Sequence, residues 1–238
     1  MSAIIAPSGC LRAAINFGNP VLAQKDPQTR APRGVSVDLA RELGRRLRVP
    51  VDFVTFESAG KVVDALERDA WDVAFLAIDP VRANEITFTA PYVLIEGTYL
   101  VPDGSPLRAI EDVDRPGVRI GVARGSAYDL YLTRALRHAQ LIRSGTGAEA
   151  MDNFLRDGLE AVAGVKQPIA AFAGKHPGLR VIPGRFMIIE QAVGIPKARN
   201  GGASYVRAFV EDVKASGFVA RALAASGQDV ALVAPPSP

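Results

Sequence analysis

The chain has 238 residues, 48% hydrophobic and 22% charged, with a formal net charge of +3. That length buries a large core in one domain or two small ones, and no run approaches the roughly 20 apolar residues that a membrane helix needs. Its single cysteine, Cys10, excludes an internal disulfide and a cysteine-based metal site.

The basic residues are scattered. Arg45, Arg46 and Arg48 form the densest group, next to Glu42 and Asp52, which reads as a solvated helix face. With aromatics at 7% and no recognisable motif, a nucleic-acid partner is not expected. His138 and His176 lie among ordinary helix-surface residues. No Ser-His-Asp set or metal cluster is visible, so no cofactor is expected.

Taken in chain order, apolar strands alternate with amphipathic helices, the pattern of an α/β fold with mainly parallel sheets. Residues 11–17 (LRAAINF) read as a strand, followed by a polar loop through Arg33. Ser36 can cap a helix whose Leu39, Ala40, Leu43 and Leu47 share a face. Residues 51–56 form the next strand, Ser58 opens a helix with Val62, Val63 and Leu66 inward, and residues 72–78 form a third strand.

Residues 91–102 then make a long extended run. A strand over 118–123 leads through Arg124-Gly125-Ser126 into a helix carrying Leu130, Leu132 and Leu136. A helix over 149–156, a strand over 159–165 and a helix over 168–175 complete a second α/β set. A further extended run over 186–196 precedes helices over 205–215 and 218–225, parted by Ser216-Gly217. Residues 234–238 (APPSP) read as a disordered tail. No internal repeat is strong enough to use. Two α/β lobes joined by two hinge strands, enclosing a cleft, are therefore expected: residues 1–95 plus 196–238, and residues 96–195.

Seven short pieces occur in an order that resembles one family. They are Gly34-x-x-x-Asp38-Leu39-Ala40, Trp71-Asp72-Val73-Ala74, Asp79-Pro80-x-Arg82 and Phe88-x-x-Pro91-Tyr92. Ile120-Gly121-Val122-x-x-Gly125-Ser126, Gly158-x-Glu160-Ala161-Val162 and Ser216-Gly217-Phe218 follow. Over roughly residues 10–228 the chain is similar to the family 3 extracellular solute-binding proteins, the polar amino-acid receptors of ABC importers. The resemblance implies a periplasmic binding protein-like II fold that closes as a hinge, a monomer, a small carboxylate-bearing ligand and an ABC permease as partner.

It also implies that Arg82 clamps the ligand carboxylate. The chemistry agrees, because a guanidinium offers two parallel N–H donors. Gly125 and Ser126, opening a helix, offer backbone N–H groups and the positive end of a dipole.

Departures from the family pattern define the remaining candidates. Val165 aligns where an aspartate usually pairs with the ligand ammonium, and Phe75 and Ala77 replace two small hydroxyl residues. Asp79 replaces a threonine; it is a turn cap before Pro80 or a ligand contact. Gly18 aligns with a stacking aromatic, with Phe17 adjacent and Asn19 beside it. Asp79, Glu57, Glu96 and Glu190 are the carboxylates that could rebuild a cation site; Glu57 lies at a strand end, where family members often touch ligand, and the alternative for Glu96 and Glu190 is hinge ion-pairing.

The alternatives are an enzyme resembling the cyclohexadienyl dehydratase of the same fold, and a cytoplasmic ligand sensor. A dehydratase needs a carboxylic acid held protonated, whereas Tyr128 stands after the glycine turn, so no catalysis is expected. The first 17 residues show neither a basic n-region nor a continuous apolar h-region. A periplasmic location therefore requires that a leader has been removed; otherwise the protein is cytoplasmic.

Overall fold

The structure is a computed structural model and describes residues 1–237. A short helix α1 (Ser2–Ile5) precedes β1 (Leu11–Asn16) and a two-stranded hairpin, β2 (Gln24–Lys25) and β3 (Pro32–Arg33). Then come α2 (Val35–Leu47), β4 (Val51–Phe56), α3 (Ala59–Asp64), β5 (Val73–Ala77), β6 (Ile86–Phe88) and the long β7 (Val93–Pro102). Next are β8 (Arg119–Ala123), α4 (Ala127–Ala135), β9 (Gln140–Ser144), α5 (Gly147–Arg156), β10 (Ala161–Val165), α6 (Lys166–Ala173) and β11 (Leu179–Val181). A second long strand, β12 (Met187–Pro196), leads to α7 (Ala203–Ala215) and α8 (Phe218–Ala225). No helix among the described residues is long and apolar enough to cross a membrane.

The chain divides into two compact units, Met1–Leu94 with Glu190 onward, and Ile95–Ile189. Sequence reading puts the first division one residue later, at 95/96, and the second at 195/196, six residues beyond the observed step. The cause of the second difference lies in β12, where Gln191–Gly194 pair antiparallel with Ala74–Ala77 of β5 and so fasten that stretch to the first unit. An extended apolar run carries no compositional mark of such a step.

In the first unit β1 lies between β4 and β5, parallel to both, with Asn16 opposite Phe56 and Ala14 opposite Ala74. β12 follows β5, and β6 pairs with β12. All five residues of β5 are buried, as a strand covered on both faces requires. One face packs Ala74 and Leu76 against Val62, Ala65 and Trp71. The Trp71 indole N–H donates to the Val62 carbonyl at 2.9 Å, which satisfies the buried polar edge of that ring.

Helix α2 turns Val35, Leu39, Ala40, Leu43 and Leu47 inward. Its cap position is Gly34 rather than Ser36. Gly34 has φ +112°, and a Cβ there would lie 2.6 Å from the Leu22 carbonyl oxygen. Ser36 is instead buried in the first turn, its hydroxyl 3.3 Å from that of Tyr92.

In the second unit β8 lies between β9 and β10, parallel to both, while β10 and β11 run antiparallel to β7. Its core gathers Leu100, Ala150, Phe154, Leu159, Val162 and Ile169. Helix α5 begins at Gly147, capped by Thr146, whose hydroxyl accepts from Glu149 N–H at 3.1 Å. The predicted start at Glu149 overlooked this cap.

The expected disordered tail is ordered through Ser237; Pro238 lies outside the described residues. Val233 bridges Val93, and Ala234 N–H donates to the Tyr92 carbonyl at 3.0 Å. The buried Lys214 ammonium donates to the carbonyls of Pro91 (3.2 Å) and Pro235 (2.9 Å) and pairs with Glu211 at 2.8 Å. Backbone groups, Lys214 and Glu211, which accepts from the Ser237 N–H at 3.2 Å and hydroxyl at 2.9 Å, hold this segment, so its Pro-rich composition does not decide the outcome.

The arginine cluster on α2 is a paired face. Glu42 receives Arg45 and Arg46, each at 2.7 Å, and Arg46 also reaches Asp212 of α7 at 2.7 Å. The hydrogen bond from Arg45, followed by that from Arg46, holds the Glu42 carboxyl down at about 2, from an ordinary 4.5. A depressed folded-state value means stability present above the unfolded value and lost as pH falls through the folded one. Wild type should therefore melt above Glu42→Gln at every pH over about 5, with the gap closing between about 4.5 and about 2. Thermal unfolding of both proteins across that range checks this.

Candidate functional site

Because β1, β4 and β5 are parallel, their C-terminal ends open on one edge of the first unit, where open α/β sheets carry their ligands. Phe17 follows β1, Glu57 follows β4, and Asp79 and Arg82 follow β5. The structure thus brings five sequence candidates to one edge: Phe17, Asn19, Glu57, Asp79 and Arg82.

Arg82 opens a single 3-10 turn (Arg82–Asn84) and is buried, with its Nη1 donating to the Ala77 carbonyl at 2.9 Å. Burial lowers its pKa to about 10, against the opposing pull of Asp79, which leaves the guanidinium charged at neutral pH. Asp79 is buried as well. Its Oδ1 accepts from Val81 N–H at 2.8 Å, and its carbonyl accepts from Ala83 N–H at 2.9 Å. Asp79 therefore makes the turn-capping contact.

Ala77 and Phe75 are buried residues of β5. The Phe75 ring meets Tyr92 edge-on, with centroids 6.2 Å apart and planes at 81°, so it belongs to the wall behind the strand ends.

Phe17 and Glu57 are pinned side by side. Phe17 N–H donates to the Phe56 carbonyl at 2.8 Å, continuing the β1–β4 ladder. At Gly18 a Cβ would come within 2.9 Å of both the Glu57 carbonyl and Asn16 Oδ1, so only glycine permits this approach. Lys25, from the β2–β3 hairpin, reaches over the pair. Its Nζ is 2.6 Å from Glu57 Oε1 and 4.9 Å from the centre of the Phe17 ring. Sequence reasoning missed Lys25, because nothing local links a hairpin lysine to a residue 32 positions away. Asn19 is buried; its carbonyl accepts from Leu22 and Ala23 N–H, while its Oδ1 has no hydrogen-bond partner among the described residues.

In the second unit β8, β9 and β10 are likewise parallel, and Gly125, Ser126 and Val165 lie at their C-terminal ends. Gly125 has φ +69°, the left-handed turn that glycine favours. Ser126 caps α4, its hydroxyl accepting from Asp129 N–H at 3.0 Å. Asp129 answers by accepting from Gly125 N–H at 2.8 Å. The expected pair of anion donors is therefore partly used by the chain's own carboxylate, which Arg143 pairs at 2.8 Å. A Ser-x-x-Asp pattern ahead of an apolar helix is the sequence signal that could have revealed it.

Tyr128 follows Ser126 and is buried, which pushes its hydroxyl up to about 12. Val165 ends β10 as an apolar, buried residue. The next residue, Lys166, donates to Glu96 at 2.7 Å, and Arg185 joins the same carboxylate at 2.6 Å. Hydrogen bonds from Lys166 first and Arg185 second hold the Glu96 carboxyl below its usual range. His176 stacks on Phe172 with centroids 4.0 Å apart, and His138 gives its backbone N–H to Asp114.

Residues 11–225 match the bacterial extracellular solute-binding proteins, family 3. The chain belongs to this family. Solved structures agree at the level of the fold. The L-cysteine solute receptor of Neisseria gonorrhoeae superposes with a TM-score of 0.81 at 20% identity, covering 94% of this chain and 92% of that one. A mutant of ArgBP from T. maritima gives 0.80 at 22%, covering 94% and 99%. An ancestral amino acid-binding protein, a precursor of cyclohexadienyl dehydratase, gives 0.76 at 23%, covering 93% and 96%. The fold is therefore that of the type II periplasmic binding proteins.

The Asp129 contacts generate a stability test. Replacing Asp129 with Ala removes the acceptor for Gly125 N–H and the partner of Arg143, and should lower unfolding free energy by about 2 kcal/mol. Asp129→Asn, which keeps an acceptor oxygen, should lose less. Urea unfolding midpoints of the three proteins measure the order.

Proposed function

We propose that this family 3 protein captures a small solute bearing a carboxylate and delivers it to the permease of an ABC importer. The observation that carries the reading is Arg82, a buried cation set at the C-terminal end of β5 with one nitrogen fastened to the Ala77 carbonyl. A guanidinium so placed is oriented before ligand arrives, so little side-chain freedom is lost on binding. In the second unit the α4 start supplies backbone donors and the helix dipole, tempered by Asp129. Asn19 Oδ1, buried and without a donor among the described residues, suits a hydroxyl or amide of the solute. A location outside the cytoplasm accords with the family's description.

Replacing Arg82 with Ala should remove a charge-assisted contact and weaken carboxylate binding by about 2–5 kcal/mol. Ser126→Ala should weaken it less, because the backbone donors remain, although loss of the cap should destabilise the protein by about 1 kcal/mol. Calorimetry on a solute carried through native purification and identified by mass spectrometry tests both. Unchanged affinity in the Arg82 variant refutes the reading.

The solute is one without an α-ammonium, or with its cation placed elsewhere. Val165 offers no charge, and the nearby carboxylate Glu96 is taken by Lys166 and Arg185. An ammonium enclosed without a matched acceptor loses several kcal/mol of hydration. A thermal-shift screen should therefore rank small organic and aromatic acids above the twenty amino acids. Strong stabilisation by an ordinary amino acid that survives Asp79→Ala overturns this selectivity.

Binding is favoured over turnover for a related reason. A dehydratase-type acid must hold its proton at neutral pH, whereas the partners of Glu96 drive that carboxyl the other way. A turnover assay on cyclohexadienyl acids should show ligand returned unchanged.

A further inference from the structure

The geometry points to Lys25 as a built-in cation that occupies an organic-cation receptor formed by Phe17 and Glu57. Lys25 thereby excludes positively charged solute groups from the edge of the first unit. This deepens the proposed function and rests on its premise that the strand ends hold the solute.

An aromatic face beside a carboxylate is the chemistry that recognises ammonium and guanidinium groups: the ring quadrupole attracts the cation and the carboxylate pairs with it. Phe17 and Glu57 are fixed in that relation by backbone, through the Phe17–Phe56 hydrogen bond and the close approach at Gly18. The ammonium now satisfying both belongs to the protein, 2.6 Å from the carboxylate and 4.9 Å from the ring centre.

Lys25 arrives from a separate element. The β2–β3 hairpin is held by pairing of Gln24 with Arg33 and Lys25 with Pro32, and by Arg33 Nη2 donating to Gln24 Oε1 at 2.8 Å. An ordinary surface ion pair would also show partly exposed partners, here 33% and 53%. Deleting one member of such a pair changes little. Deleting the occupant of a receptor opens it.

The test uses the full chain and two probes: agmatine, a dication with no carboxylate, and inorganic sulfate as an anionic control. By calorimetry wild type should bind neither at the Phe17 edge. Lys25→Met should gain agmatine affinity by about tenfold or more. Lys25→Arg, which keeps a cation on the ring, should not gain, and adding Glu57→Gln to Lys25→Met should abolish the gain. Should Lys25→Met fail to fold by circular dichroism, Lys25→Gln replaces it.

A folded Lys25→Met or Lys25→Gln protein with wild-type agmatine affinity overturns the proposal. So does an equal gain in Lys25→Arg, a gain that survives Glu57→Gln, or sulfate affinity that changes in step with agmatine. Agmatine carries no carboxylate, so these outcomes are independent of Arg82, whose own variant tests the parent reading.

Discussion

Asp72 has a fully buried side chain and stands just before β5, where it ties three segments of the first unit. It receives the Arg12 backbone N–H at 2.8 Å and Arg12 Nη2 at 2.7 Å, returns its own N–H to the Arg12 carbonyl at 2.8 Å, and takes Arg199 Nη1 at 3.1 Å. Two guanidiniums and one peptide N–H compensate a charge that would otherwise be costly to bury. The effect is to fix β1 against β5 at their N-terminal ends, and with them the register that decides what the opposite ends present. The second unit repeats the device in weaker form. Arg119, first in β8, gives its backbone N–H to Glu160 at 2.8 Å and its Nε at 2.9 Å, and Glu160 stands just before β10. In both units an arginine at a strand start binds the acid preceding the neighbouring parallel strand.

With the strand starts fixed, the C-terminal ends are held by contacts of their own. The close approach at Gly18 holds Phe17 beside Glu57, and the turn after β5 folds Arg82 back onto Ala77. These contacts use backbone atoms for support and leave side chains as the variable part. A scaffold held at one edge by ion pairs can change the residues at the other edge at small cost to its register.

The sequence made the strands with strong apolar runs legible, because burial on both faces of β5 and β10 demands such runs. It hid β9, whose residues Gln140–Ser144 are mostly exposed or half-buried, and the three-residue strands β6 and β11. The order of the C-terminal segment comes from main-chain contacts to Tyr92 and Val93 and from the distant side chains of Lys214 and Glu211, which composition does not encode. The same division applies to the candidate site. Arg82, Phe17 and Glu57 could be placed at strand ends from local pattern alone. Lys25 could not, because its role depends on a hairpin folding back over a distant strand end, and Glu96 acquires its partners from residues 70 and 89 positions away.

Those non-local partners change how selectivity arises. On the proposed reading, the case against an α-ammonium begins with the missing carboxylate at Val165. Carboxylates are in fact plentiful in both units; Glu57, Glu96 and Asp129 are each bonded to a cation of the chain, Lys25, Lys166 with Arg185, and Arg143. A ligand cation must then displace a tethered one. A tethered group acts at an effective concentration of roughly millimolar or above, well over that of a scarce solute, so the internal partner wins unless the ligand brings additional contacts. At Arg82 the neighbouring Asp79 carboxylate likewise acts on the buried guanidinium, so an incoming anion meets a charge of its own sign there too.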